Sequence, residues 1–178
     1  SGRLSLLFII TLYISAVLKN NLSGYLFNPS FGEPVNLLII TSTVILPFLL
    51  WCVSSWCLTV LFSGEGTMGQ IMMAVSYCTI PLMVSNLLCT VLSNVLVGDE
   101  AVFVTVIEGF SILWFVFLLV AAMLETHQYS FIKTLVTSLF TILGMLIMVF
   151  VAMLAADLVQ QVLVFVNSIY KEITYRSM

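Results

Sequence analysis

Charge is what this sequence has least of. Asp, Glu, Lys and Arg together make up 7% of 178 residues, against about 25% in a soluble domain. So few charged side chains cannot solvate a globule of this size, and a soluble fold would carry a surface that aggregates. Five basic residues and a net charge of −3 give no footprint for nucleic acid. Histidine occurs once, at His127, so the clustered ligands that a metal requires are missing. The four cysteines, Cys52, Cys57, Cys78 and Cys89, form no C-x-x-C pair and read as small apolar packing residues. No G-x-S-x-G, H-E-x-x-H or P-loop occurs. A non-enzymatic chain without a cofactor is expected.

What the sequence has instead is long apolar runs. With 62% hydrophobic residues and a mean hydropathy of +1.23, it supplies about five stretches near the ~20 residues that a spanning helix needs. They cover residues 4–18, 35–62, 68–97, 101–124 and 131–156. None alternates with period two, which disfavours a β-barrel. The expected fold is all-α, a polytopic membrane protein of about five transmembrane helices in a single domain over 1–178. Ser1 is not an initiator methionine and the first run begins at once. A fragment lacking an N-terminal portion is therefore expected. No small-residue cleavage site follows that run, so it does not read as a signal peptide.

The second and third runs are roughly 42 and 45 Å long as helices, more than a ~30 Å hydrocarbon core needs. Each contains a proline, Pro47 or Pro81. Proline removes a backbone donor and clashes with the preceding turn, so both helices are expected to bend. Ser76, Tyr77, Thr79, Ser85 and Asn86 surround Pro81 and could cover the freed carbonyl groups. A structural kink is the simpler reading; a lined cavity is the alternative.

Between these runs lies GEGTMG, residues 64–69, which spells the dinucleotide fingerprint G-x-G-x-x-G. That fingerprint needs a preceding strand and an acidic residue about 20 positions on. Here it follows a membrane run, and 84–90 holds only Asn86 as a polar candidate. The glycines read as a tight turn: Gly64 and Gly66 permit positive φ, Glu65 keeps the turn wet, and Thr67 caps the next helix.

The run WCVSSWCLTVLFSGEGTMGQIMMAVSYCTIPLMVSNLL, with Trp51 and Trp56 before the glycine turn and Tyr77-x-x-x-Pro81 after it, resembles the Yip domain, a family of membrane proteins that interact with Ypt/Rab GTPases. HQYSFIKTL and FVNSIYKEITYR resemble its bacterial members, and the likeness extends over most of 27–176. The resemblance implies a five-span membrane fold. It implies membrane-protein partners, in some bacterial members the subunits of carbohydrate ABC importers. Eukaryotic relatives bind Rab GTPases partly through a cytosolic N-terminal region. This sequence does not contain that region, so GTPase binding is not expected of it.

Membrane depth decides how the remaining polar residues read. Glu108 lies about 10 Å inside the fourth span if that span starts at Ala101. It lies at the surface if the span starts at Gly109, the favoured reading, because 109–124 with tilt nearly suffices. His127, in the turn ETHQYS, reads as a solvated loop residue. Asp157, Gln160 and Gln161 mark where the last helix leaves the hydrocarbon. Residues 157–176 then read as an interfacial helix anchored by Tyr170, Lys171, Tyr175 and Arg176. Counting basic residues on the two faces, Lys19, Lys171 and Arg176 against Arg3 and Lys133, places the C-terminal tail in the cytoplasm of a bacterial cell. The two functional readings are an adaptor or accessory subunit, and a transport or lipid-handling protein with a cavity around Pro47 and Pro81. Scattered hydroxyls make no continuous polar path, so the adaptor reading leads.

Overall fold

The computed structural model describes residues 2–25, 27–28 and 36–176. Six α-helices account for nearly all of them: α1 (Gly2–Leu22), α2 (Leu37–Phe62), α3 (Met68–Cys78), α4 (Ile80–Ser93), α5 (Ala101–His127) and α6 (Phe131–Arg176), with one 3-10 turn at Gly98–Glu100. With α3 and α4 taken as one segment, five helical stretches are long and apolar enough to cross a membrane. The chain is an all-α integral membrane protein. The expected start of the second span, Val35, lies outside the described residues.

α1 and α5 each pack on α3 and α4, and α2 packs on α6. The core is small: Ile9, Phe48, Cys52, Ile71, Val75, Leu119 and Met123. As many hydroxyls as apolar side chains are buried, among them Ser5, Ser15, Ser54, Ser76, Thr79 and Thr134. Most bond a carbonyl three or four residues back, such as Ser76 Oγ to Met73 O at 2.7 Å and Thr141 Oγ1 to Thr137 O at 2.8 Å, which satisfies these hydroxyls within their own helix. Small side chains also let helices approach closely. At the α2–α6 contact Ser54 Oγ donates to Thr141 O at 2.8 Å, and a Cβ on Gly144 would stand 2.3 Å from Ser54 Oγ.

The third span is broken at Thr79, two residues before Pro81. Pro81 occupies the first turn of α4, where its missing N–H matters least. Thr79 N–H turns back to Ser76 O at 3.3 Å, and the Thr79 hydroxyl donates to the same oxygen at 2.7 Å. Thr79 therefore covers the break. The Tyr77 ring instead packs tilted against Phe8 at 4.8 Å. Pro47 lies inside α2, which runs through it as a single helix from Leu37 to Phe62.

The glycine turn forms, but for another reason than expected. Neither Gly64 nor Gly66 has φ in the left-handed region; the left-handed residue is Ser63, φ 52°, which caps α2. The glycines are needed for closeness. A Cβ on Gly64 would stand 2.3 Å from Tyr129 Oη, and one on Gly66 2.8 Å from His127 Nδ1. Thr67 leads into α3 with its N–H and its hydroxyl both donating to Gln70 Oε1, at 2.9 and 2.8 Å. Glu65 is exposed.

His127 is accordingly not a solvated loop residue. It is the last residue of α5 and only 4% exposed, roofed by the two glycines. It stacks on Tyr129 at 5.1 Å with 16° between the rings, and Nε2 lies 3.3 Å from Ser55 Oγ. Lys133 Nζ sits 4.2 Å from the Tyr129 ring centre, a cation–π contact that holds the start of α6 to the turn. Burial pushes the Tyr129 phenol up from its ordinary value. A buried aromatic pair between two glycines is invisible to a residue-by-residue reading of ETHQYS.

α6 shows no break at Asp157. It is one helix of 46 residues, because Gln160 and Gln161 interrupt the apolar run without interrupting helix propensity. Asp157 and Lys171 are exposed on it. Arg176 ends the helix, and its side chain lies outside the described residues.

Replacing Gly64 by Ala is expected to lower stability by about 1–3 kcal/mol through overpacking against the Tyr129–His127 pair. Gly69→Ala, into open space within α3, is expected to cause no loss. Thermal unfolding of both variants in the same detergent checks the contrast, and equal midpoints would sink the close-packing account.

Candidate functional site

Two features gather the polar residues of the membrane interior. The first is a charged pair between helices. Glu108 lies within α5, which is helical from Ala101. Lys19 Nζ, in the last turn of α1, donates to Glu108 Oε1 at 2.6 Å, with the two side chains 33% and 38% exposed. Nearby, Asn86 Nδ2 donates to Ser15 Oγ at 3.3 Å, and Gly24 N–H to Ser93 Oγ at 3.1 Å. Asn94 Nδ2 donates to Leu22 O at 2.7 Å. These bonds tie the end of α1 to α4 and α5. Lys19 was legible in the sequence only as one basic residue among five; its pairing with Glu108 depends on α1 crossing beside α5.

The second feature is a cavity of about 460 Å³ near the middle of the bundle. Every helix contributes to its wall, and the proline of α2 and the break between α3 and α4 face each other across it. Pro47, Phe48, Leu119 and Met145 give it an apolar lining, and Thr43, Trp51, Thr79 and Asn86 are its polar members. The volume is within the ~300–1,000 Å³ range of small-molecule sites. The Thr43 and Thr79 hydroxyls donate to carbonyl groups of their own helices, and the Asn86 amide donates to Ser15. Trp51 differs: its Nε1 is buried and has no hydrogen-bond partner among the described residues. An indole N–H can only donate, and leaving it unpaired in an apolar interior is costly.

On the other side of α4, Pro81, Val84, Ser85, Phe110, Ser111 and Trp114 line a laterally open groove of about 360 Å³. The first turns of α4 thus separate an inner cavity from an outer groove. Of the residues singled out in the sequence, Pro47, Asn86 and Thr79 meet at the cavity, and Pro81 and Ser85 at the groove. Gly64, Gly66 and His127 belong to the turn at one end of the bundle. Asp157 and Lys171 stand apart on α6. Among the described residues no three His, Cys, Asp or Glu side chains lie close enough together to hold a metal. Cys52, Cys78 and Cys89 are buried and Cys57 is exposed, all as free thiols.

The pair Lys19–Glu108 is expected to couple by about 1 kcal/mol in a double-mutant cycle of Lys19→Met and Glu108→Gln read by unfolding in detergent. Additive effects of the two substitutions would remove it as a link between α1 and α5.

Comparison with known proteins agrees with this architecture. A family model for the Yip1 domain matches residues 2–153. No curated protein and no solved structure matches the chain. The matched segment takes in α1 to α5, the glycine turn, the break at Thr79 and the part of α6 that packs on α2. The chain belongs to the Yip1 domain family.

Proposed function

We propose that this protein is a non-enzymatic binder of a lipid-sized molecule within the membrane, held in the cavity between Pro47 and Thr79. The observation that carries the reading is a mostly apolar cavity wall that includes Trp51, whose buried indole N–H has no partner among the described residues. An apolar space with one free donor suits a ligand that is mostly hydrocarbon and offers an acceptor oxygen, such as an acyl ester or a fatty alcohol. The separate groove beside Pro81 opens among exposed apolar side chains, including Val84, Phe110 and Trp114, a second apolar surface open to an acyl chain.

A second reading, an adaptor or accessory subunit, is favoured by α6, whose side chains from Val149 onward are exposed wherever they are described. On that reading the partner is a membrane protein, with carbohydrate ABC importer subunits first to be tested. The setting is the bacterial cytoplasmic membrane, with the end of α6 on the cytoplasmic side. Affinity purification in mild detergent, with identification of co-purifying chains, tests it.

For the lipid reading, the protein is purified in mild detergent and its bound lipids are quantified by mass spectrometry. Leu82→Trp, which fills the cavity, is expected to reduce the retained lipid at least tenfold. Trp51→Phe keeps an aromatic ring at the wall and removes the indole N–H, one hydrogen bond of about 1 kcal/mol, so retention is expected to fall roughly fivefold. Equal lipid content in all three proteins would end the proposal.

A further inference from the structure

Beneath the glycine turn lies a second and much smaller cavity. Its volume is about 10 Å³, and it shares no lining residue with the larger one. Three helices close it: α2 with Ser55, α5 with Met123 and His127, and α6 with Thr137, Ser138 and Thr141. Hydroxyls dominate its wall.

These hydroxyls do not satisfy one another. Ser138 Oγ is buried and has no hydrogen-bond partner among the described residues. Its neighbours have each committed their proton. Thr137 Oγ1 donates to Thr134 O at 3.0 Å, Thr141 Oγ1 to Thr137 O at 2.8 Å, and Ser55 Oγ to Met123 Sδ at 3.4 Å. A hydroxyl that donates once keeps lone pairs free to accept. One buried O–H in want of an acceptor therefore shares a cavity with three oxygens able to accept, none within bonding range of it.

The space and the chemistry select the occupant. About 10 Å³ is the least that holds a single water, which also needs two to four polar partners. No carboxylate lines the cavity, and the Lys133 ammonium lies against the Tyr129 ring on its wall, so a cation has nothing to balance it. A water both accepts and donates, which is what this wall asks for.

We propose that the cavity binds one structural water, which accepts from Ser138 Oγ and donates to Ser55 Oγ and Thr141 Oγ1. The direct bond from Ser54 to Thr141 already fastens α2 to α6. The water adds a second link at the same contact, and Ser55, 3.3 Å from His127 Nε2, carries it on to α5. His127 Nδ1 stays outside the site, turned to the glycine roof where a Cβ on Gly66 would stand 2.8 Å away. The proposal does not rest on a ligand in the larger cavity.

The sign of one substitution tests it. A buried hydroxyl without a partner costs stability, so removing it raises the unfolding midpoint. A hydroxyl bonded to a held water contributes, so removing it lowers the midpoint. The full chain carrying Ser138→Ala, unfolded in mild detergent, is expected to melt about 2–4 °C below the unsubstituted protein. A crystal structure of the unsubstituted protein is expected to show a density peak within about 3.2 Å of Ser138 Oγ and Ser55 Oγ. A raised or unchanged midpoint would overturn the proposal. So would a lowered midpoint without that density, which would mean that Ser138 bonds its own helix as the threonines beside it do.

Discussion

The solvent for most of this protein is hydrocarbon, and the rest of the structure follows from that constraint. Apolar side chains gain nothing by moving from lipid to a protein interior, so an exposed Leu or Val carries no penalty and a large apolar core no benefit. Cohesion must come from close contact and satisfied polar atoms. The buried set reflects this: serines and threonines that bond their own helix, a serine on a neighbour's carbonyl at Ser54–Thr141, and glycines where helices or rings nearly touch. The one ion pair among the described residues, Lys19–Glu108, clasps α1 to α5 where both near the bundle's end.

The break at Thr79 and the proline in α2 are two solutions to one difficulty. In α2 the helix runs through Pro47; in the third span it stops, with Thr79 holding the last carbonyl and a new helix starting on Pro81. The cavity lies where these two interruptions face each other. The unsatisfied indole of Trp51 is placed on the wall of that gap.

The class of fold was plain in the sequence because hydrocarbon length imposes itself on composition. Five runs are a physical requirement for five crossings. The break near Pro81 was legible as well, although proline chemistry locates it only to within a turn. Contacts between distant residues were not legible. His127 in ETHQYS carries no local sign that two glycines some sixty residues earlier will roof it, and Lys19 carries none that it will meet Glu108. Asp157 carries a different kind of signal: polarity marks a boundary between solvents, and a helix such as α6 crosses it unbroken. Ser63 in the left-handed region, beside two glycines that do not need it, shows that a glycine can be required for its missing side chain alone.

The connections 63–67 and 128–130 give one end of the bundle an unusual tightness, fastened by the stack of His127 on Tyr129 beneath the glycine turn. The consequence concerns biogenesis. Connections this short keep α2 beside the third span, and α5 beside α6, so each pair is a helical hairpin. Such hairpins partition into lipid as units. A single helix within one of them cannot invert without dragging its mate, so errors of orientation in this chain come in pairs or not at all.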